Sequence, residues 1–326
     1  VSAAWTWHGG GLEAAKRHFG DGSGGGDWLD LSTGINPHPW PGVADVRIDW
    51  QRLPEREASA DLEAAAAAHF GCDPRHVCAV PGTEIALRLV GQHIGGAARH
   101  RTPTYRTHAE MIPGAQAADL DESTRGTLIV ANPNNPDGHV LAPDRLLALL
   151  DSRTADEWLL LDEAFADAHP ALSLARHIAD TRRLVIFRSF GKFFGLAGLR
   201  LGFVLGPPTI LAPIRSLLGA WPVSAAAIAI GTRAYCDTPW IPAMRVQLET
   251  EAAALDTVLS APGYRPIGAC PLFRLIQTPD AAALFERLGR RQILTRPFAD
   301  RPDWLRIGLP PSAQALDRLA LALQGG

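Results

Sequence analysis

The sequence predicts an α/β protein: a large domain on a mainly parallel sheet, followed by a smaller α+β domain at the C-terminus. Three observations carry this. Short apolar runs bounded by turn residues alternate with longer helical patterns through the first two thirds of the chain, the pattern of strands linked by crossover helices. The character changes after about Val223, where a long helical stretch gives way to short strands interleaved with helices. Finally, 326 residues, 47% hydrophobic and 20% charged, exceed one minimal core and suit two globular domains.

The first 35 residues, with Gly9-Gly10-Gly11 and Gly24-Gly25-Gly26, read as an N-terminal arm carrying one helix. Residues 36–224 form the expected large domain. Its helical patterns cover 61–70, 84–94 and 143–150, the last opening on Ala142-Pro143-Asp144, a helix start. Its buried strands are expected at 128–131, 158–161, 184–187 and 201–205. Residues 225–326 form the small domain: a helical stretch from 225 to 259, broken near Asp237-Thr-Pro239, then strands at 272–276, 293–295 and 305–309. There is no internal repeat, and Ala64 to Ala68 is a helix-forming tract.

Composition excludes several functions. Net charge is −3 and no basic run exceeds two residues (Arg182-Arg183, Arg290-Arg291), which removes the footprint of a nucleic-acid binder. No uninterrupted apolar run reaches the ~20 residues of a membrane span, and no secretory leader pattern opens the chain, so a cytoplasmic protein with no membrane partner is expected. Cys72, Cys78, Cys236 and Cys270 match neither a redox pair nor a zinc knuckle, and the eleven histidines form no metal-binding pattern, so no metal is expected.

The chemistry concentrates on one lysine. Only Lys16 and Lys192 occur, against 29 arginines. Arginine replaces lysine wherever charge suffices, but its guanidinium forms no imine. Codon bias alone would also deplete lysine, yet Lys192 lies within Ser189-Phe-Gly-Lys-Phe-Phe-Gly-Leu-Ala-Gly-Leu-Arg200-Leu-Gly-Phe203, which directly follows an expected strand. Two other strands run into Asp162-Glu-Ala-Phe-Ala-Asp167 and Asn132-Pro-Asn-Asn-Pro-Asp-Gly138, and strand ends are where open parallel sheets bind ligands.

Together these suggest pyridoxal phosphate. Lys192 supplies the amine, and Asp162 the carboxylate that keeps a pyridine nitrogen protonated. Asn135 is a neutral donor for the phenolic oxygen. Gly82-Thr83-Glu84 opens a helix whose N–H groups can receive a phosphate, Arg200 adds fixed charge, and Tyr105 in Thr102-Pro-Thr-Tyr-Arg106 can stack on the ring. Met alone, an Asn-Pro repeat is an ordinary turn and Gly-Thr-Glu an ordinary helix start; the run around Lys192 joins them into one reading.

These motifs resemble those of fold-type I pyridoxal-phosphate enzymes of the histidinol-phosphate aminotransferase group. Within that group the chain is most similar to the threonine-phosphate decarboxylases of the cobalamin pathway, through His8-Gly-Gly10, Leu29-Asp-Leu-Ser-Thr-Gly-Ile-Asn-Pro37, Ile293-Leu-Thr-Arg296 and Trp304-Leu-Arg-Ile-Gly308. The resemblance covers nearly the whole chain. It implies that Lys192 holds the cofactor as an imine, that Asp162 and Asn135 meet its ring, that Thr83, Ser189 and Arg200 hold its phosphate, and that Tyr105 stacks. It also implies that Arg306 anchors the substrate carboxylate and that His8, Gly9, Asn36 and Arg296 line the substrate pocket.

The implied enzyme is a homodimer with its site between the two domains, converting L-threonine O-3-phosphate to (R)-1-amino-2-propanol O-2-phosphate and carbon dioxide. A histidinol-phosphate-type aminotransferase is the alternative, since both use the same core residues. A cofactor-binding regulatory domain is disfavoured, because no basic winged-helix segment precedes residue 36. Three positions depart from the group's pattern: Phe165 and Leu53 stand where relatives often carry tyrosine, and Asp137 where threonine is common.

Overall fold

The computed structural model describes residues 3–6, 8–20 and 27–324; Gly24-Gly25-Gly26 of the expected arm lies outside them. The described chain forms two compact units, one from residues 39–135 and 140–243, the other from residues up to 38 together with 136–139 and 244 onward.

The first unit is built on a seven-stranded sheet in the order Val77–Val80, Gly202–Leu205, Leu184–Ser189, Leu159–Asp162, Thr127–Ala131, Ala98–His100, Gln116–Ala117. Gly202–Leu205 runs antiparallel to both neighbours and the other pairings are parallel. The expected strands therefore lie side by side in the middle of a mostly parallel sheet. Their sequences are apolar throughout because both faces are covered, and period-two alternation is absent for that reason.

On one face, Leu160, Val185, Phe187 and Val204 pack with Ala86, Leu87 and Val90 of helix Thr83–Ile94 and Ile210, Leu211 and Ile214 of helix Pro208–Leu218. On the other, helices Arg56–Phe70 and Ala225–Tyr235 pack together, and Phe70, Phe203 and Tyr235 meet edge to face at 5.5–5.7 Å. Helix Arg56–Phe70 stops at Gly71, whose φ of 74° is open to glycine at little cost.

The second unit holds a four-stranded antiparallel sheet in the order Arg296–Pro297, Trp304–Gly308, Phe273–Gln277, Pro266–Ile267. Leu29–Asp30, near the chain start, pairs in parallel with Ile293–Leu294, and the Gly308 N–H donates to the Leu31 carbonyl at 2.7 Å. The N-terminal segment is thus woven into this unit by backbone bonds. Among the described residues no helix is long and apolar enough to cross a membrane, and no group of three or more His, Cys, Asp or Glu could hold a metal ion.

Candidate active site

Three strand ends bring the first set of side chains together. Asp162 closes its strand abreast of Ala131 on one side and Phe187 on the other, and its carbonyl accepts the Asn132 N–H at 2.9 Å. The loop bearing Asn135 and the segment bearing Lys192 therefore leave the sheet beside Asp162. The Asn132 side chain bridges that loop, accepting the Leu141 N–H (2.8 Å) and donating to the Leu141 carbonyl (3.1 Å). Asn134 Nδ2 donates to the Pro103 carbonyl at 2.9 Å, tying the loop to the Tyr105 segment.

The Asp162 carboxylate is buried and held at both oxygens. Oδ1 accepts the Ala164 N–H (3.0 Å), and Oδ2 accepts Nε2–H of His108 (2.9 Å). Thr104 Oγ1 lies 2.6 Å from His108 Nδ1, which fixes the imidazole from its far side. Sequence reasoning missed His108. It sits on a five-residue helix, Arg106–Glu110, 54 positions from its partner, and the one available signal is its place one turn after Tyr105. Lys192 is half-buried, with Nζ 5.7 Å from the centroid of the Phe165 ring.

A second group of residues gathers next to it. Gly202 lies abreast of both Val80 and Ser189, and a Cβ on it would approach the Thr83 amide nitrogen to 2.9 Å, so glycine is required there. Gly82 precedes helix Thr83–Ile94 with φ of 88°, and a Cβ on it would come within 2.6 Å of Arg200 Nη2. Arg200 itself is a non-glycine residue at φ 55°, the kind of strained backbone that clusters at ligand clamps. Gly82, Thr83, Ser189 and Arg200 are therefore neighbours, with helix N–H groups and a guanidinium available to an anion. Glu84 faces elsewhere: its carboxylate accepts the Tyr105 phenol and the Thr107 hydroxyl, each at 3.0 Å, and pairs with Arg88. Burial and the Glu84 charge push the Tyr105 phenol up to about 12, so it stays a donor.

The remaining candidates lie in the other unit, grouped around Ser32. The Ser32 carbonyl accepts Nη2–H of Arg306 (2.9 Å), its hydroxyl accepts the Gly10 N–H (2.7 Å), and a Cβ on Gly9 would reach that carbonyl at 2.4 Å. His8 is exposed, one position before Gly9. Asn36 is buried, four residues past Ser32, and its Oδ1 accepts the His38 N–H (2.8 Å), while His38 Nε2 contacts the Glu251 carboxylate at 2.8 and 2.9 Å. Arg296 and Arg306 are buried and stand directly opposite each other across antiparallel strands, so both side chains project from one face. Burial and then the Arg296 charge hold the Arg306 guanidinium well below its ordinary value. Two buried guanidiniums thus stand side by side.

The family model "Aminotransferase class I and II" matches residues 91–323. A threonine-phosphate decarboxylase of a Sinorhizobium species is 44% identical over 97% of this chain and 97% of its own, and one of Pseudomonas aeruginosa is 38% identical over 98% and 97%. Among solved structures, the histidinol-phosphate aminotransferase of Sinorhizobium meliloti in complex with pyridoxal-5'-phosphate superposes with a TM-score of 0.81 at 20% identity, covering 96% of this chain and 93% of that one.

Proposed function

The chain belongs to the aminotransferase class I and II family and has its fold-type I architecture, and from that premise we propose that it decarboxylates L-threonine O-3-phosphate to (R)-1-amino-2-propanol O-2-phosphate with pyridoxal phosphate. The observation that carries the reading is the cross-strand pair Arg296 and Arg306, because this substrate bears two anions and bidentate guanidiniums are the best clamps for both. The likeness to two threonine-phosphate decarboxylases over nearly the full length supports it.

The residues fit the cofactor. Lys192 is a primary amine beside an aromatic ring, Asp162 a carboxylate aimed by His108 and the Ala164 amide, and Gly82, Thr83, Ser189 and Arg200 a cradle for a phosphate. When bound, pyridoxal phosphate supplies an electron sink for the pair released as a bond at the α-carbon breaks. Lys192 would hold the cofactor through its amine and could return a proton to the α-carbon; Asp162 would keep a proton at the ring nitrogen; Asn135 would serve the phenolic oxygen; Tyr105, its hydroxyl engaged by Glu84, would offer its ring face. Arg306 would hold the α-carboxylate and Arg296 the phosphate, with Gly9, which abuts the same Ser32 carbonyl as Arg306, and His8 and Asn36 lining the pocket. An anchor that sets the carboxylate so that its bond to the α-carbon is the one weakened selects loss of carbon dioxide over amino transfer, and Arg306 would be that anchor.

A homodimer accords with the exposure of Trp50 (77%) and Leu53 (61%) on one segment, and a cytoplasmic location with four free cysteines. The test of function is product analysis. Threonine phosphate should yield carbon dioxide and amino-propanol phosphate with no keto-acid acceptor. Amino transfer from histidinol phosphate to 2-oxoglutarate, with no carbon dioxide from threonine phosphate, would replace this reading by the aminotransferase.

A further inference from the structure

Behind the strand ends lies a second cluster, made of charged groups that the proposed reaction does not use. Successive residues of a strand face opposite sides of the sheet, so Glu163 and Arg188 point away from the face that carries Asp162 and Phe187. There Arg188 Nη1 donates to Glu163 Oε2 (2.8 Å) and Nη2 donates to Asp167 Oδ1, which is also 2.9 Å from His69 Nε2 of helix Arg56–Phe70. Glu163 further accepts the Ser173 hydroxyl (2.5 Å) and the Leu174 N–H (2.8 Å). The Arg188 guanidinium lies 4.4 Å from the Phe70 ring centroid. Side chains of Glu163 and Asp167 have no exposed surface, and that of Arg188 has 3%.

Arg188 thus binds residues four apart on a single loop, the loop that leaves Asp162. Between those two anchors lies Phe165, the ring beside Lys192. Arg188 itself directly precedes Ser189 and lies four residues before Lys192. Burying such a cluster gains little stability over apolar side chains of equal volume, and the surrounding aromatic face shows that apolar packing is available here. What an ion cluster adds is fixed direction.

We propose that Arg188, clamped by Glu163 and Asp167, is a positioning device on the reverse face of the sheet that sets Asp162, Phe165 and Lys192 relative to one another. It rests on the pyridoxal-phosphate reading of Lys192 and Asp162. Burial raises the Glu163 carboxyl against the opposing Arg188 charge, while Asp167 is held below its usual range despite burial because the Arg188 charge and His69 outweigh it. Arg188 pairs with both carboxylates, so replacing Glu163 alone leaves the Arg188–Asp167 ion pair in place.

Two variants of the full chain test this. Glu163→Gln keeps the Arg188–Asp167 pair; the triple variant Glu163→Gln, Asp167→Asn, Arg188→Met removes all three charges together. Melting temperature, absorption-monitored affinity for pyridoxal phosphate, and kcat and KM for threonine phosphate are measured on each. Both should fold. Cofactor affinity and kcat should fall about 10-fold in the single variant and about 100-fold in the triple, with a shifted absorption maximum of the bound cofactor and KM changed less than about 2-fold. A folded variant of either kind with wild-type cofactor affinity, absorption and kcat overturns the proposal. So does failure of Glu163→Gln to fold, since the cluster would then be a stability element. Wild-type protein that binds the cofactor but releases no carbon dioxide removes the decarboxylase reading alone, while wild-type protein that takes up no cofactor removes both.

Discussion

At the strand ends of the first unit charges meet their complements: Asp162 with His108, Arg188 with Glu163 and Asp167, Glu84 with Arg88. In the other unit the two buried arginines of the opposed strands carry the same sign, and burial, then the Arg296 charge, holds the Arg306 guanidinium well below its ordinary value. The difference teaches how each region is used. Paired charges are satisfied before any ligand arrives, so they aim groups and hold them still. Like charges side by side repel, and an anion bound between them relieves that repulsion. Variants of the first region should therefore act on kcat, and variants of the second on kcat/KM and selectivity.

The largest expected effect lies in the first region. Lys192→Arg keeps a cation but removes the imine-forming amine, so kcat should fall on the order of 10⁴-fold or more. Borohydride reduction of the wild type followed by peptide mapping should label Lys192; label on Lys16 alone would end the assignment. Next is Asp162→Ala, which should leave the fold intact and lower kcat on the order of 10³-fold with KM little changed. A near-normal kcat would mean that another acid meets the ring nitrogen.

The second region breaks differently. Arg306→Ala should reduce kcat/KM for threonine phosphate by about 10²- to 10³-fold, in line with roughly 3–4 kcal/mol for a buried charge-assisted clamp. Arg296→Ala should lower kcat/KM by about 10²-fold and chiefly erase the preference for threonine phosphate over threonine. Equal losses on both substrates in the Arg296 variant would sink the phosphate assignment and blur the contrast between the two regions.

Much of this arrangement was legible in the sequence for a specific reason. Buried parallel strands announce themselves as unbroken apolar runs, and the residues that follow them, Asn132 to Gly138, Asp162 to Asp167 and Ser189 to Phe203, fall at the end of the sheet where ligands bind. Direction was not legible: nothing in Gly202 to Leu205 distinguishes a reversed strand from a parallel one, since apolar burial is the same either way. Ala98–His100 and Gln116–Ala117 give too few residues for a pattern. Partnerships across long separations, such as Arg188 with Asp167 or His108 with Asp162, have no local signature, because the chain between them determines only that they meet, not how it reads.

The smallest expected effect isolates aiming from charge within the first region. His108 is fully buried at its side chain, donates to Asp162 and is braced by Thr104, so its contribution passes entirely through the orientation of the Asp162 carboxylate. His108→Ala leaves the Ala164 N–H as the remaining protein donor described at that carboxylate. Losing a hydrogen bond to an ionised group costs about 1.5–3 kcal/mol, but the carboxylate itself stays, so kcat should fall only about 10-fold and not the 10³-fold of Asp162→Ala. His108→Gln, whose amide can still donate, should recover part of that loss, which a purely packing role would not predict. If His108→Ala instead matched Asp162→Ala in kcat, the imidazole would be acting on the reacting groups directly, and the line drawn between aiming groups and reacting groups would have to move.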